Sequence, residues 1–324
     1  MSNCSETFYL LGYPSSIAVI IANATVILIS TIVCYFALHK LITASIFQFS
    51  TRVFLSVSLV FLIFHILSYL AVRLQTLYMQ YYEICDVDAI NCLPIAIGIY
   101  AGAAGLAYVQ VAMSLDRLLG AFLKTSYIRF ERITTIVFIL LMLFCTFLTY
   151  QYQMEGNMLD FRVTTCQNWG GGTNVNSYAV VTDLILYLSV FDFAADFVIL
   201  LMNVRNERKI RDIYDVAKRF EARMSLKSTQ AVLTISMVQF FAQATYSLIF
   251  IIASRFFIPI MSKHDIQLFL IYIYPVSYTA TFHGLVILYA IRRMRIQRAV
   301  EIKKMTDHKN NLENHLEHMR ASWR

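Results

Sequence analysis

Asp116 and Arg117 are adjacent, and a helix presents neighbouring side chains about 100° apart, so the carboxylate and the guanidinium need not bond each other strongly. Asp183, Asp192 and Asp196 lie in one apolar stretch. Asp192 and Asp196 are four residues apart and share a helical face; Gln239 and Gln243 repeat that spacing in another apolar stretch. Carboxyls and amides in such register can bond across two helices. The pattern predicts Asp196 near Gln239 and Asp192 near Gln243, as a polar seam that serves as interhelical glue or as part of a switch. Asp183, at the end of its stretch, reads as a solvated helix-end residue. His65 and His283 have no second ligand at helical spacing and read as packing or hydrogen-bonding residues, so neither a metal site nor a cofactor is expected. An intramembrane hydrolase would need His, Asp or Ser clustered across several spans. Only two histidines lie in apolar stretches, and no enzyme is expected.

The elements that must position these residues are membrane helices. Of 324 residues, 58% are hydrophobic and only 15% charged, well below the roughly 25% charged residues of a soluble domain. Seven apolar runs stand near 17–38, 53–72, 93–115, 133–153, 179–203, 230–254 and 266–291. Each can cross a hydrocarbon layer about 30 Å thick, and in lipid each must satisfy its own backbone as a helix. The fold class is therefore an all-α membrane protein, a seven-transmembrane helix bundle. Residues 1–16 form an N-terminal segment, 17–291 the bundle and 292–324 a tail, and no cleavable signal peptide is expected.

The segments between the runs fall into two alternating sets, and 23 of the 27 Lys and Arg residues belong to one of them. The positive-inside rule puts that set in the cytoplasm, so the N-terminus is expected outside the cell and the C-terminus inside. The same asymmetry accounts for the net charge of +7 through inner-leaflet lipid as partner, without nucleic acid. Asn3 heads an Asn-Cys-Ser sequon on the expected outer side. Residues 210–224 show apolar positions at helical spacing among charges and read as an inward extension of the fifth helix. Residues 292–300 read as a short basic helix along the membrane, and the remainder of the tail as loosely ordered.

Cys34 and Cys145 fall inside helices and read as packing residues. Cys4, Cys85, Cys92 and Cys166 lie on the expected outer side, where two bridges with three connectivities are open. Cys92 opens the third helix and Asp116-Arg117 closes it, about 36 Å away. Seven helices, an outer N-terminus, these two markers and Cys166 in the next outer loop resemble the G-protein-coupled receptors. Leu118 departs from the rhodopsin-like pattern, and the second and sixth helices lack its Asp, Pro and Trp. Met113-Ser-Leu-Asp-Arg-Leu-Leu-Gly-Ala-Phe122, Tyr127-Ile-Arg-Phe-Glu-Arg132 and Phe282-His-Gly-Leu-Val-Ile-Leu-Tyr289 resemble the nematode serpentine chemoreceptors of the Sra superfamily, in particular its alpha/beta class.

The resemblance implies a chemosensory receptor in the plasma membrane of a sensory neuron, signalling to a heterotrimeric G protein, with a receptor dimer left open. It implies a Cys92–Cys166 disulfide, and a latch in which Asp116 holds Arg117 until activation frees it. It also places a ligand pocket between the outer halves of the helices, where Ile99, Tyr100 and Ala103 stand. No charge lies at that depth on the third helix, so the expected ligand is a small neutral molecule. The alternative is a seven-helix transporter or channel subunit, against which stands the absence of repeated halves and of Gly- or Pro-broken midplane helices.

Overall fold

The chain is described from a computed structural model, which covers residues 14–43, 47–82, 84, 87–123, 125–154, 162–163, 175–210, 226–227, 229–238, 240–241, 244–245, 248, 252 and 276–322. The described elements are almost all helical: α1 Pro14–Thr43, α2 Phe49–Tyr81, α3 Ala89–Leu123, α4 Thr125–Met154 and α5 Val175–Ile210. They continue with a short apolar helix, α6, Thr229–Val238, and with α7, Val276–Ser322. Among the described residues, α1 to α5 are long and apolar enough to cross a membrane.

These helices outrun the apolar runs at both ends, because a backbone already satisfied inside the hydrocarbon propagates until a polar loop offers other partners. The largest departure is α7. It continues without a break through the basic segment after Ile291 and on to Ser322, where the sequence led us to expect a short membrane-lying helix and a loosely ordered tail. A helix of 47 residues is about 70 Å long, more than twice the hydrocarbon thickness. The amphipathic segment expected at 210–224 lies, beyond Ile210, outside the described residues.

The helices meet along small and polar surfaces, as expected where lipid removes the hydrophobic drive for association. Gly98, Gly102 and Gly105 of α3 face α2 closely enough that a Cβ at Gly102 would lie 2.7 Å from His65 Cβ, and one at Gly105 would lie 2.5 Å from the Phe61 ring. His65 Nδ1 donates to the Ile99 carbonyl at 2.8 Å across this contact. α1 and α7 join through Ser30 and Thr281, whose hydroxyls are 2.6 Å apart, and through Cys34 Sγ, which donates to the Ala280 carbonyl at 3.3 Å. α3 and α4 join through the Tyr108 and Thr149 hydroxyls at 2.8 Å. Ile136, Leu140, Phe144 and Phe147 of α4 point away from the bundle and are exposed, forming a lipid-facing side.

Two short strands complete the described elements. β1, Val87–Asp88, pairs antiparallel with β2, Arg162–Val163, in the register Val87 with Val163 and Asp88 with Arg162. The pairing places Arg162 and Val163 against Val87 and Asp88, which immediately precede α3.

Candidate functional site

The two ends of α3 are chemically different. At the Cys92 end the side chains of Val72, Cys92 and Ala96 are buried together, with Ile99 and Tyr100 partly buried against them; Ala103 is partly buried one turn further along. Cys92 is disulfide-bonded, and its partner lies outside the described residues, as Cys166 itself does. Asn3 also lies outside them. Cys34 and Cys145 are free thiols, the first buried in the core.

The other half of α3 carries the larger polar assembly, built in two layers. In the first, Ser114 of α3 lies between both aspartates of α5, with Oγ 2.6 Å from Asp192 Oδ1 and 2.8 Å from Asp196 Oδ1. Ser236 of α6 donates to Asp196 Oδ2 at 2.6 Å. Ser114, Asp192, Asp196 and Ser236 are each 1% exposed. The expected pairing of the aspartates with Gln239 and Gln243 lies outside the described residues, since both glutamines do. What the structure adds is a third helix: the polar seam includes α3, through a serine that the sequence reading passed over. Asp183 is exposed in the third turn of α5.

The second layer lies one α3 turn further on. Arg117 spreads its two terminal nitrogens in opposite directions, Nη1 donating to Thr229 Oγ1 of α6 at 3.1 Å and Nη2 to Thr51 Oγ1 of α2 at 3.0 Å. Asn203 of α5 donates its amide to the same Thr229 oxygen at 2.8 Å. Asp196 and Asp116 are close enough to act on the guanidinium charge. Asp116, buried, accepts a hydrogen bond from the Tyr127 hydroxyl at the start of α4. Burial, and then the Asp116 carboxylate that this hydroxyl bonds, hold Tyr127 above the ordinary tyrosine range, so it stays a donor. Glu131 on the next turn accepts from the Ser50 backbone N–H at 3.0 Å and caps the start of α2.

The layers follow from spacing. Asp196 and Asn203 are seven apart on α5, Thr229 and Ser236 seven apart on α6, and Ser114 and Arg117 three apart on α3. Each pair therefore shares a helical face, and the long arginine side chain makes up for the shorter step on α3. The assembly ties α2, α3, α5 and α6 at one level of the bundle. Such a site can fasten or release helices. His65 is engaged with a backbone carbonyl, and His283 is buried in α7, so neither belongs to this assembly.

Residues 6–323 match the family model described as serpentine type 7TM GPCR chemoreceptor Sra. Among similar proteins, serpentine receptor class alpha-13 of Caenorhabditis briggsae is 28% identical over 95% of this chain and 93% of its own length. Its Caenorhabditis elegans counterpart is 26% identical over 93% and 91%. Serpentine receptor class alpha-11 of Caenorhabditis elegans is 28% identical over 75% of each chain.

Proposed function

The chain belongs to the Sra family of serpentine seven-transmembrane chemoreceptors, and from that premise we propose that it binds a small neutral molecule outside the cell and signals to a heterotrimeric G protein. In this reading the Cys92 end of the bundle is extracellular, and Ile99, Tyr100 and Ala103 line the ligand site. The second outer loop is tied over it by a Cys92–Cys166 bridge. The β1–β2 pairing supports that bridge, because it holds Val163, three residues before Cys166 in sequence, against Val87, just ahead of α3. The Asp116–Arg117 end faces the cytoplasm, beside the G protein. The membrane concerned is the plasma membrane of a sensory cell.

One observation carries the proposal. Arg117 is held by neighbours on two other helices, and its adjacent Asp116 is anchored to Tyr127, so the only arginine in the α3 span is stored in a bonded position at the bundle's end. A stored cation can be released by a modest bias: about 1.4 kcal/mol moves a two-state population tenfold. Asp116→Asn should raise basal signalling, and Arg117→Ala should abolish it with surface expression retained. The test is the signal, cAMP or calcium, normalised to surface receptor in cells expressing each variant. Unchanged normalised signalling in Arg117→Ala would remove Arg117 from the mechanism.

A further inference from the structure

We propose that Thr229, seated by Asn203, is the pin that holds Arg117 in the resting receptor, so that the latch runs through hydroxyl groups across four helices. The inference rests on Arg117 being the signalling switch; it assigns the residues that position it.

A threonine hydroxyl oxygen has two lone pairs. At Thr229 both are addressed by N–H donors from different helices, Arg117 Nη1 at 3.1 Å and Asn203 Nδ2 at 2.8 Å. Thr229 is 3% exposed and Thr51 1%, so neither hydroxyl has bulk water to replace a lost partner. The guanidinium is a rigid planar fork, and its two ends fix the separation of Thr51 on α2 from Thr229 on α6. Moving the start of α6 away from the bundle must therefore break the Arg117 and Asn203 bonds together. That makes the release cooperative: α5 holds α6 in place, and α6 holds the arginine. A carboxylate in place of Thr229 would bind the guanidinium more strongly and would neutralise it. A hydroxyl brings no charge of its own, so at Thr229 the arginine is held by a hydrogen bond that a later partner can replace.

Thr229→Val keeps the volume and removes the acceptor. Expressed in the full chain, it should raise basal signal per surface receptor roughly tenfold, the scale expected for losing a bond to a charged donor. Thr229→Ser, which restores the acceptor, should return it to within about twofold of wild type on the same scale. Thr51→Val, on a different helix, should move the signal in the same direction and keeps the test alive if Thr229→Val does not reach the surface. A purely structural threonine would change expression without changing signal per receptor. Hydrogen exchange of purified protein supplies a readout that needs no G protein: amides at the start of α6 should exchange faster in Thr229→Val and at the wild-type rate in Thr229→Ser. Faster exchange with unaltered signalling would keep the clamp and overturn the coupling role of Arg117. Wild-type exchange and wild-type basal signal in both valine variants would overturn the clamp itself.

Discussion

Ser114 has one hydroxyl hydrogen and two carboxyl neighbours, at 2.6 and 2.8 Å, so one hydrogen cannot point along both bonds. Asp196 has the fuller set of partners, since its second oxygen also accepts from Ser236. Asparagine keeps the shape of the carboxyl but replaces one acceptor oxygen by a donor amide. Asp192→Asn leaves one oxygen to accept from Ser114 and should melt within about 1 kcal/mol of the wild-type protein, while Asp196→Asn leaves one of two buried hydroxyls without its acceptor and should lose about 1 to 3 kcal/mol. Thermal unfolding of the two purified variants decides, and the opposite order would show that Asp192 carries the more important bonds. At this scale the sequence was half legible. Aspartates in an apolar run announce themselves because they are costly there. Ser114, Ser236, Thr51 and Thr229 do not, since hydroxyls are tolerated in any membrane helix by bonding the preceding turn. The available signal was the seven-residue recurrence of polar residues, Asp196 with Asn203 and Thr229 with Ser236.

Between elements, the contact of α2 with α3 depends on what α3 lacks. A Cβ at Gly102 would meet His65 Cβ at 2.7 Å and His65 Cα at 3.1 Å, the latter a backbone atom that cannot turn aside. A Cβ at Gly120 would meet the Tyr127 ring at 3.5 Å, an ordinary contact. Gly102→Ala should destabilise the bundle by about 1 to 3 kcal/mol through overpacking, and Gly120→Ala should be neutral or stabilising by up to about 1 kcal/mol, from helix propensity. Melting temperatures of the two variants test this, and equal effects would show that α2 and α3 are not held at this distance. Helix number and placement were legible because lipid enforces them, but helix pairing was not. A hydropathy run says that a segment spans; which face meets which neighbour is written in glycines and hydroxyls that the hydropathy averages away. The two-residue strands were equally silent, since Val87-Asp88 and Arg162-Val163 are too short to show alternation.

For the whole molecule, the family match over residues 6–323 shows one seven-helix receptor chain, and the remaining question is which way it faces. The argument is electrostatic. The segments at the Asp116–Arg117 end carry 23 of the 27 Lys and Arg residues, and α7 leaves the bundle at that same end through Arg292, Arg293, Arg295 and Arg298, all exposed. Each basic residue near an anionic inner leaflet contributes about 1 kcal/mol, so reversing the chain would forfeit several such contacts and carry the charges across the membrane. The continuous helix to Ser322 sharpens the measurement. The roughly 30 residues after Ile291 reach about 45 Å, so an epitope at the C-terminus stands well clear of the lipid surface on whichever side it emerges. In intact cells an N-terminal epitope should bind antibody and a C-terminal one should bind only after permeabilisation. Replacing Arg292, Arg293, Arg295 and Arg298 together by Gln should leave that orientation unchanged, because 19 basic residues remain on the same side, but should loosen the start of the protruding helix from anionic vesicles. C-terminal staining of intact cells would place Arg117 outside, out of reach of any G protein, and the latch with it.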